Sequence, residues 1–186
     1  MVLALGLSAL TIGVIYQVYL SQIRARAVRE SSLDMQQQAR VAMDLVVREL
    51  QMAGFDPRGV NRDSLKGNDF WGVTFDSSQL TIKADLDGNG VLTDSNESIV
   101  FSHDPETMSL RRNTGGGRQP LGENIEEFFV KYFDSEGQIT TRSEDIRQVE
   151  VSITARTATA DPQYPHNNGY RKITLQTRVT PRNLGL

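Results

Sequence analysis

Apolar and polar positions fall into three successive regimes along this chain. From Met1 to Leu20, MVLALGLSALTIGVIYQVYL, no side chain is charged and only Ser8, Thr11 and Gln17 are clearly polar. A helix of that length spans about 30 Å, the thickness of a bilayer's hydrocarbon core. A secretory signal would place a basic segment before a shorter apolar core. Here the positive charges Arg24, Arg26 and Arg29 follow the run, and no helix breaker separates them from it. Residues 1–22 are therefore expected to form a membrane-spanning helix.

The helical pattern continues into the second regime with a different character. Ile23, Ala27, Met35, Ala39, Ala42, Met43, Val46, Leu50 and Ala53 recur mostly every three or four residues, which marks an amphipathic face. Arg24, Glu30, Asp34, Gln37, Arg40, Asp44 and Arg48 occupy the other face. Gly54 supplies a C-terminal stop with Pro57 close behind. Residues 23–54 are expected to lay their apolar side on a sheet, giving one helix of about 50 residues where about 11 to 12 is usual.

In the third regime, 55–186, the period drops to two. Val149, Val151, Ile153 and Ala155 alternate with polar residues across Gln148 to Arg156, and Ile173, Leu175 and Val179 do so across Arg171 to Val179. Leu80, Ile82 and Ala84 form a third set, Ile99 and Phe101 a fourth, Met108 and Leu110 a fifth. Such alternation predicts antiparallel strands with one buried and one wet face. Ile125 to Phe133 is apolar on both faces, which predicts a central strand. Thr157 to Tyr170, with two prolines and a glycine, reads as an exposed loop. The predicted fold class is α+β: one long helix, half for membrane and half amphipathic, packed on an antiparallel β-sheet.

Charge and composition narrow the function. Against 23 Asp+Glu stand 20 Lys+Arg, a net charge of -3, so there is no polybasic field for nucleic acid. Without cysteine there is neither a disulfide framework nor a thiolate metal site. His103 and His166, the only histidines, sit in different segments and read as surface residues. Glu126 and Glu127 are adjacent in a predicted strand and so face opposite ways. The Gly115-Gly116-Gly117-Arg118 stretch lacks the lysine and hydroxyl residue of a phosphate loop. No enzymatic site is expected.

One local motif carries chemistry. Asp85-Leu86-Asp87-Gly88-Asn89-Gly90-Val91 matches the start of an EF-hand loop, with side-chain oxygens at Asp85, Asp87 and Asn89, a glycine for the sharp turn at Gly90, and a carbonyl ligand at Val91. The twelfth position, where a bidentate glutamate belongs, is Asn96, and Glu97 comes one residue late. Flanked by strands, these residues read either as a calcium turn ligated by Asp85, Asp87, Asn89, Val91 and Glu97 or as a hairpin connection built from turn-forming Asp, Asn and Gly.

The start MVLALGLSAL, followed by a long amphipathic helix ending in RVAMDLVVRELQMAGFDP, resembles the type IV pilin and pseudopilin superfamily, in particular PilW-like minor pilins and GspJ-like pseudopilins. Met1 and Val2 look like the tail of a mature start similar to FTLIELMV, so the prepilin motif is expected to be truncated here. LTIKADLDGNGVLTDSNESIVFS, IRQVEVSITARTA and YRKITLQTRVTPRNL look like strands of PilW-like proteins. The resemblance implies a minor structural subunit of a type IV pilus or type II secretion pseudopilus, acting in assembly and initiation. Its partners would be other pilins, met through the N-terminal helix and the sheet edges, and inner-membrane lipid before assembly. Its domain would face the periplasm until the subunit enters the filament. The competing reading is a membrane-anchored periplasmic calcium-dependent adhesin or sensor domain.

Overall fold

The computed structural model describes residues 2–59 and 70–184. Met1, the first residue of the expected membrane segment, lies outside them, as do 60–69 and the last two residues of the expected 55–186 domain. Helix α1 runs unbroken from Val2 to Met52. Its end is set by Gly54 at φ +75°, a left-handed conformation that costs glycine nothing. The Gly54 N–H then donates to the carbonyl of Lys83 at 2.9 Å, tying the helix end to a strand.

Strands β1 (Val73–Thr74), β2 (Gln79–Lys83), β3 (Ser98–Asp104), β4 (Ser109–Asn113) and β5 (Arg118–Glu123) form an antiparallel sheet in chain order. Strands β6 (Ile125–Phe133), β7 (Gln148–Arg156) and β8 (Lys172–Val179) form a second antiparallel meander. The helix rests on an antiparallel β layer as the sequence predicts, and that layer is divided in two. The division falls at Asn124, whose positive φ of 56° turns the chain between β5 and β6. Ile125 N–H donates across the corner to Met108 O at 2.9 Å, and Arg156 N–H to Asn124 O at 2.9 Å.

That corner corrects one expectation. Strand β6 is an edge of the second sheet, and β7 is its centre. A bulge interrupts its pairing between Ile125 and Glu127, and Phe129 is 60% exposed. Tyr132 at the far end is buried, and its hydroxyl donates to the carbonyls of Asp76 (3.1 Å) and Gln79 (3.3 Å), stitching the second sheet to the first. Phe75 meets its ring edge-on at 5.4 Å.

The core is one cluster in which α1 contributes Met35, Ala39, Ala42, Met43, Val46 and Leu50, the turn after it Ala53, and the sheets Leu80, Ile82, Ile99, Phe101, Leu110, Val149, Val151, Ile153 and Ala155. The helix packs on β7 and β8 and also on β5 and β2, so it spans both sheets. Ile23 and Ala27, which the periodicity places on the same face, remain exposed. The buried stretch begins at Met35.

Candidate functional site

The acidic loop connects β2 to β3 beside the end of α1. Its first residue is anchored at both ends. Asp85 N–H donates to Phe55 O at 2.8 Å, and the fully buried carboxylate accepts the N–H groups of Gly88 (Oδ1, 2.7 Å) and Gly90 (Oδ2, 2.9 Å). Both glycines have positive φ, 75° and 79°, so the loop curls around Asp85. Exposed Asp87 accepts from Asn89 N–H and, through Oδ2, from the Asn89 amide at 2.9 Å. That amide also donates to Asp94 Oδ2 at 2.7 Å, while Asn89 Oδ1 receives Val91 N–H at 2.6 Å.

Glu97 closes the loop from the other side. It is 2% exposed, its Oε1 accepts Leu86 N–H at 2.8 Å, and its Oε2 is buried without a hydrogen-bond partner. The left-handed Asn96, at φ 70°, sits just before it, so a glutamate one place late by counting still reaches the centre. One oxygen from each of Asp85, Asp87 and Glu97 lies within 4.8 Å of the others. Of the sequence-predicted ligands, these three carboxylates converge; the Asn89 amide bonds Asp87 and Asp94, and Val91 N–H bonds Asn89 Oδ1. Asp94, which counting by EF-hand positions did not single out, enters the network through Asn89.

The remaining motifs take the following places in the fold. Asn113 Oδ1 accepts the N–H groups of Gly115 (3.0 Å) and Gly117 (3.2 Å), making the glycine stretch a closed turn between β4 and β5. His103 is not a free surface residue; it is half-buried and hydrogen-bonds Ile125 O at 2.8 Å, which requires the proton on Nε2. His166 is exposed against Tyr164. Glu126 is held by Lys172 at 2.7 Å, and Glu127 is exposed.

The second functional surface is the N-terminal part of α1. Among the described residues, one helix is long and apolar enough to cross a membrane, and none of its apolar window is buried in the fold. Leu7, Leu10, Ile12, Val14, Ile15, Tyr16, Val18 and Tyr19 are all exposed. The hydroxyls of Thr11 and Ser21 turn back to the helix, to Leu7 O and Val18 O at 2.8 Å each. Their polar groups are thereby satisfied without water.

Residues 29–180 match the family model described as PpdB, prepilin peptidase-dependent protein B. The chain belongs to that family. As a member of the prepilin peptidase-dependent protein B family, it is a type IV pilin-like subunit carrying a candidate N-terminal membrane anchor, which accords with the pilin resemblance of its sequence. The family match covers the packed half of α1 and nearly all of both sheets, and begins after the apolar run. No curated protein matches the chain. A type IV-like pilin from Thermus thermophilus is similar in structure, at a TM-score of 0.48 and 15% identity over 80% of this chain and 97% of that one.

Proposed function

We propose that this member of the prepilin peptidase-dependent protein B family is a minor pilin or pseudopilin that acts in filament assembly and initiation. The observation that carries the reading is one unbroken helix, Val2–Met52, with two contrasting halves. Its C-terminal half is built into the core, while its N-terminal half presents apolar side chains all round. Such a half needs an apolar medium on every side, and it would find one twice: in inner-membrane lipid before assembly, and among the equivalent helices of other pilins afterwards. Transfer between the two is close to balanced in apolar burial, so association rests on close packing. Gly6 and Gly13 carry no Cβ, which lets another helix come close. Neighbouring subunits would be distinguished by the sheet edges and by the Thr157 to Tyr170 loop. That loop is held in shape by an Asp161–Arg171 ion pair (3.2 Å) and by Arg171 stacked on Tyr164.

Gly13→Leu tests this. The segment stays apolar enough to insert, but gains bulk at the helix contact. Immunoblots of membrane and sheared-filament fractions should show wild-type membrane levels and a several-fold loss from filaments. An anchored adhesin or sensor asks only that the segment remain in lipid, so equal function in both proteins, with no wild-type chain in filaments and no change in filament number on deletion, rejects the pilin reading.

A further inference from the structure

We propose that the loop from Asp85 to Glu97 binds one calcium ion through the carboxylates of Asp85, Asp87 and Glu97. Glu97 Oε2 is a carboxylate oxygen buried without any hydrogen-bond partner. Leaving such an atom unsatisfied is costly, and buried polar atoms in folded proteins rarely stay so. The carboxylate's other oxygen already takes Leu86 N–H, and the backbone carbonyl of Glu97 takes Ala84 N–H at 2.9 Å. The side chain is therefore fixed where it stands, and one of its carboxylate oxygens lies within 4.8 Å of one oxygen each of Asp85 and Asp87.

The donor set identifies the ligand. All three groups are hard anionic oxygens with no nitrogen or sulfur among them, which suits calcium or magnesium and disfavours zinc or copper. Calcium–oxygen distances of about 2.3–2.6 Å put opposite ligands about 5 Å apart, and the three oxygens fall inside that span. Six to eight ligands are needed, so water would complete the set begun by the three carboxylates. Asp87 is exposed and opens the site to water, and Asp94 is tethered at its rim by the Asn89 amide. A site of this kind, completed by water, suits calcium; magnesium demands a near-ideal octahedron about 2.0–2.1 Å in radius.

Binding would act on the helix end. The loop is bonded to Phe55 through Asp85 N–H, and Gly88 lies so close to Pro57 and Arg58 that a Cβ would stand 3.0–3.2 Å from their side chains. Cross-linking Asp85 to Glu97 through an ion fixes the loop against the segment that leaves α1. Calcium binding here would be independent of the filament reading.

The experiment uses the full chain in mild detergent, titrated calorimetrically with calcium or magnesium and melted in calcium or chelator. One calcium per chain is expected, with a Kd of about 10⁻⁴ to 10⁻³ M, the range of extracellular modules, and a melting temperature that rises with calcium concentration by mass action. Glu97→Gln should remove binding. Should that buried variant fail to fold, Asp87→Asn at an exposed position should melt like wild type in chelator and bind calcium at least ten-fold more weakly. Absence of calcium heat and of any melting shift up to about 10 mM, well beyond that range, overturns the proposal. So does unchanged binding in Asp87→Asn, or magnesium binding as tightly as calcium.

Discussion

Within α1, the stretch from Gly6 to Ile23 and the stretch from Met35 to Ala53 contain much the same kinds of apolar residue, arranged differently around the axis. In the first, large side chains such as Leu10, Ile12, Val14, Ile15 and Tyr16 follow one another on all sides, and every one is exposed. In the second, Met35, Ala39, Ala42, Met43, Val46, Leu50 and Ala53 keep to one side and are buried, while Arg40, Asp44 and Arg48 take the other. The angular distribution, more than total hydrophobicity, selects the surroundings: all-round apolar surface needs lipid or a helix bundle, a single stripe needs a sheet. Small residues recur in both stretches for the same reason, since Ala39 and Ala42 bring the backbone down onto β strands as Gly6 and Gly13 would bring it onto another helix.

A charge inserted into each half gives the largest contrast. Val46 is fully buried, so Val46→Asp buries an unpaired carboxylate and should destabilise the domain by about 3–5 kcal/mol, enough to abolish a cooperative melt. Val14→Asp should leave the domain's melting temperature unchanged and lower its membrane-bound fraction, as an acidic residue at a helix centre costs about 2.5–3.5 kcal/mol on insertion. Similar melting for the two variants breaks the division.

The junction at the end of the packed half comes next. A Cβ on Gly72 would sit 2.3 Å from Gly54 N and 2.5 Å from Gly54 Cα, so Gly72→Ala must push the helix terminus off β1. The expected cost is about 1–3 kcal/mol, read as a lower denaturation midpoint. The same substitution at Gly13, where no atom lies within 4 Å, should leave the midpoint unchanged.

Tyr132 sharpens the picture of the support beneath the helix. Burial pushes its hydroxyl up to about 12, and the nearby Asp76 charge adds to the rise. The folded state thus holds this proton more tightly than the unfolded state, where the value is about 10. Its contribution is complete below pH 10 and is lost as the pH rises through 12. Tyr132→Phe should cost about 0.5–1.5 kcal/mol at neutral pH, and the gap to wild type should narrow between pH 10 and 12 in equilibrium unfolding. The smallest effect belongs to truncation. Removing residues 1–25 deletes none of the helix positions described as buried, so the remaining domain should be soluble and melt within a few degrees of the full chain.

Legibility in the sequence followed the strength of the period. Seven of the nine stripe positions on α1 are buried as expected. Ile23 and Ala27 are not, because the sheets end before they can cover them, and sheet length is not written in the helix. Strands β2, β3, β7 and β8 announced themselves by alternation. Strand β5, RQPLGE, did not, since Pro120 and Gly122 obscure the pattern; Pro120 itself is a signal for the sheet edge that β5 forms. The division into two sheets turns on the single left-handed Asn124, and no periodicity reveals it. At the acidic loop, residue types were legible but partners were not. Counting put Glu97 one place too far, and the left-handed Asn96 makes up the difference.

The lengthwise seating of α1 has a mechanical side. From Met35 to Ala53 the helix lies along both sheets for about 27 Å, with Glu49 clamped to Arg112 at 2.7 Å and Gln38 Oε1 accepting Glu123 N–H at 2.9 Å. A pull on the N-terminal end runs parallel to this seam, so it loads the buried rows and both clamps in shear together. Peeling, by contrast, would strain them one turn at a time. The same chain should therefore resist axial tension far better than a force applied across the helix, which makes α1 a tether as well as a core element.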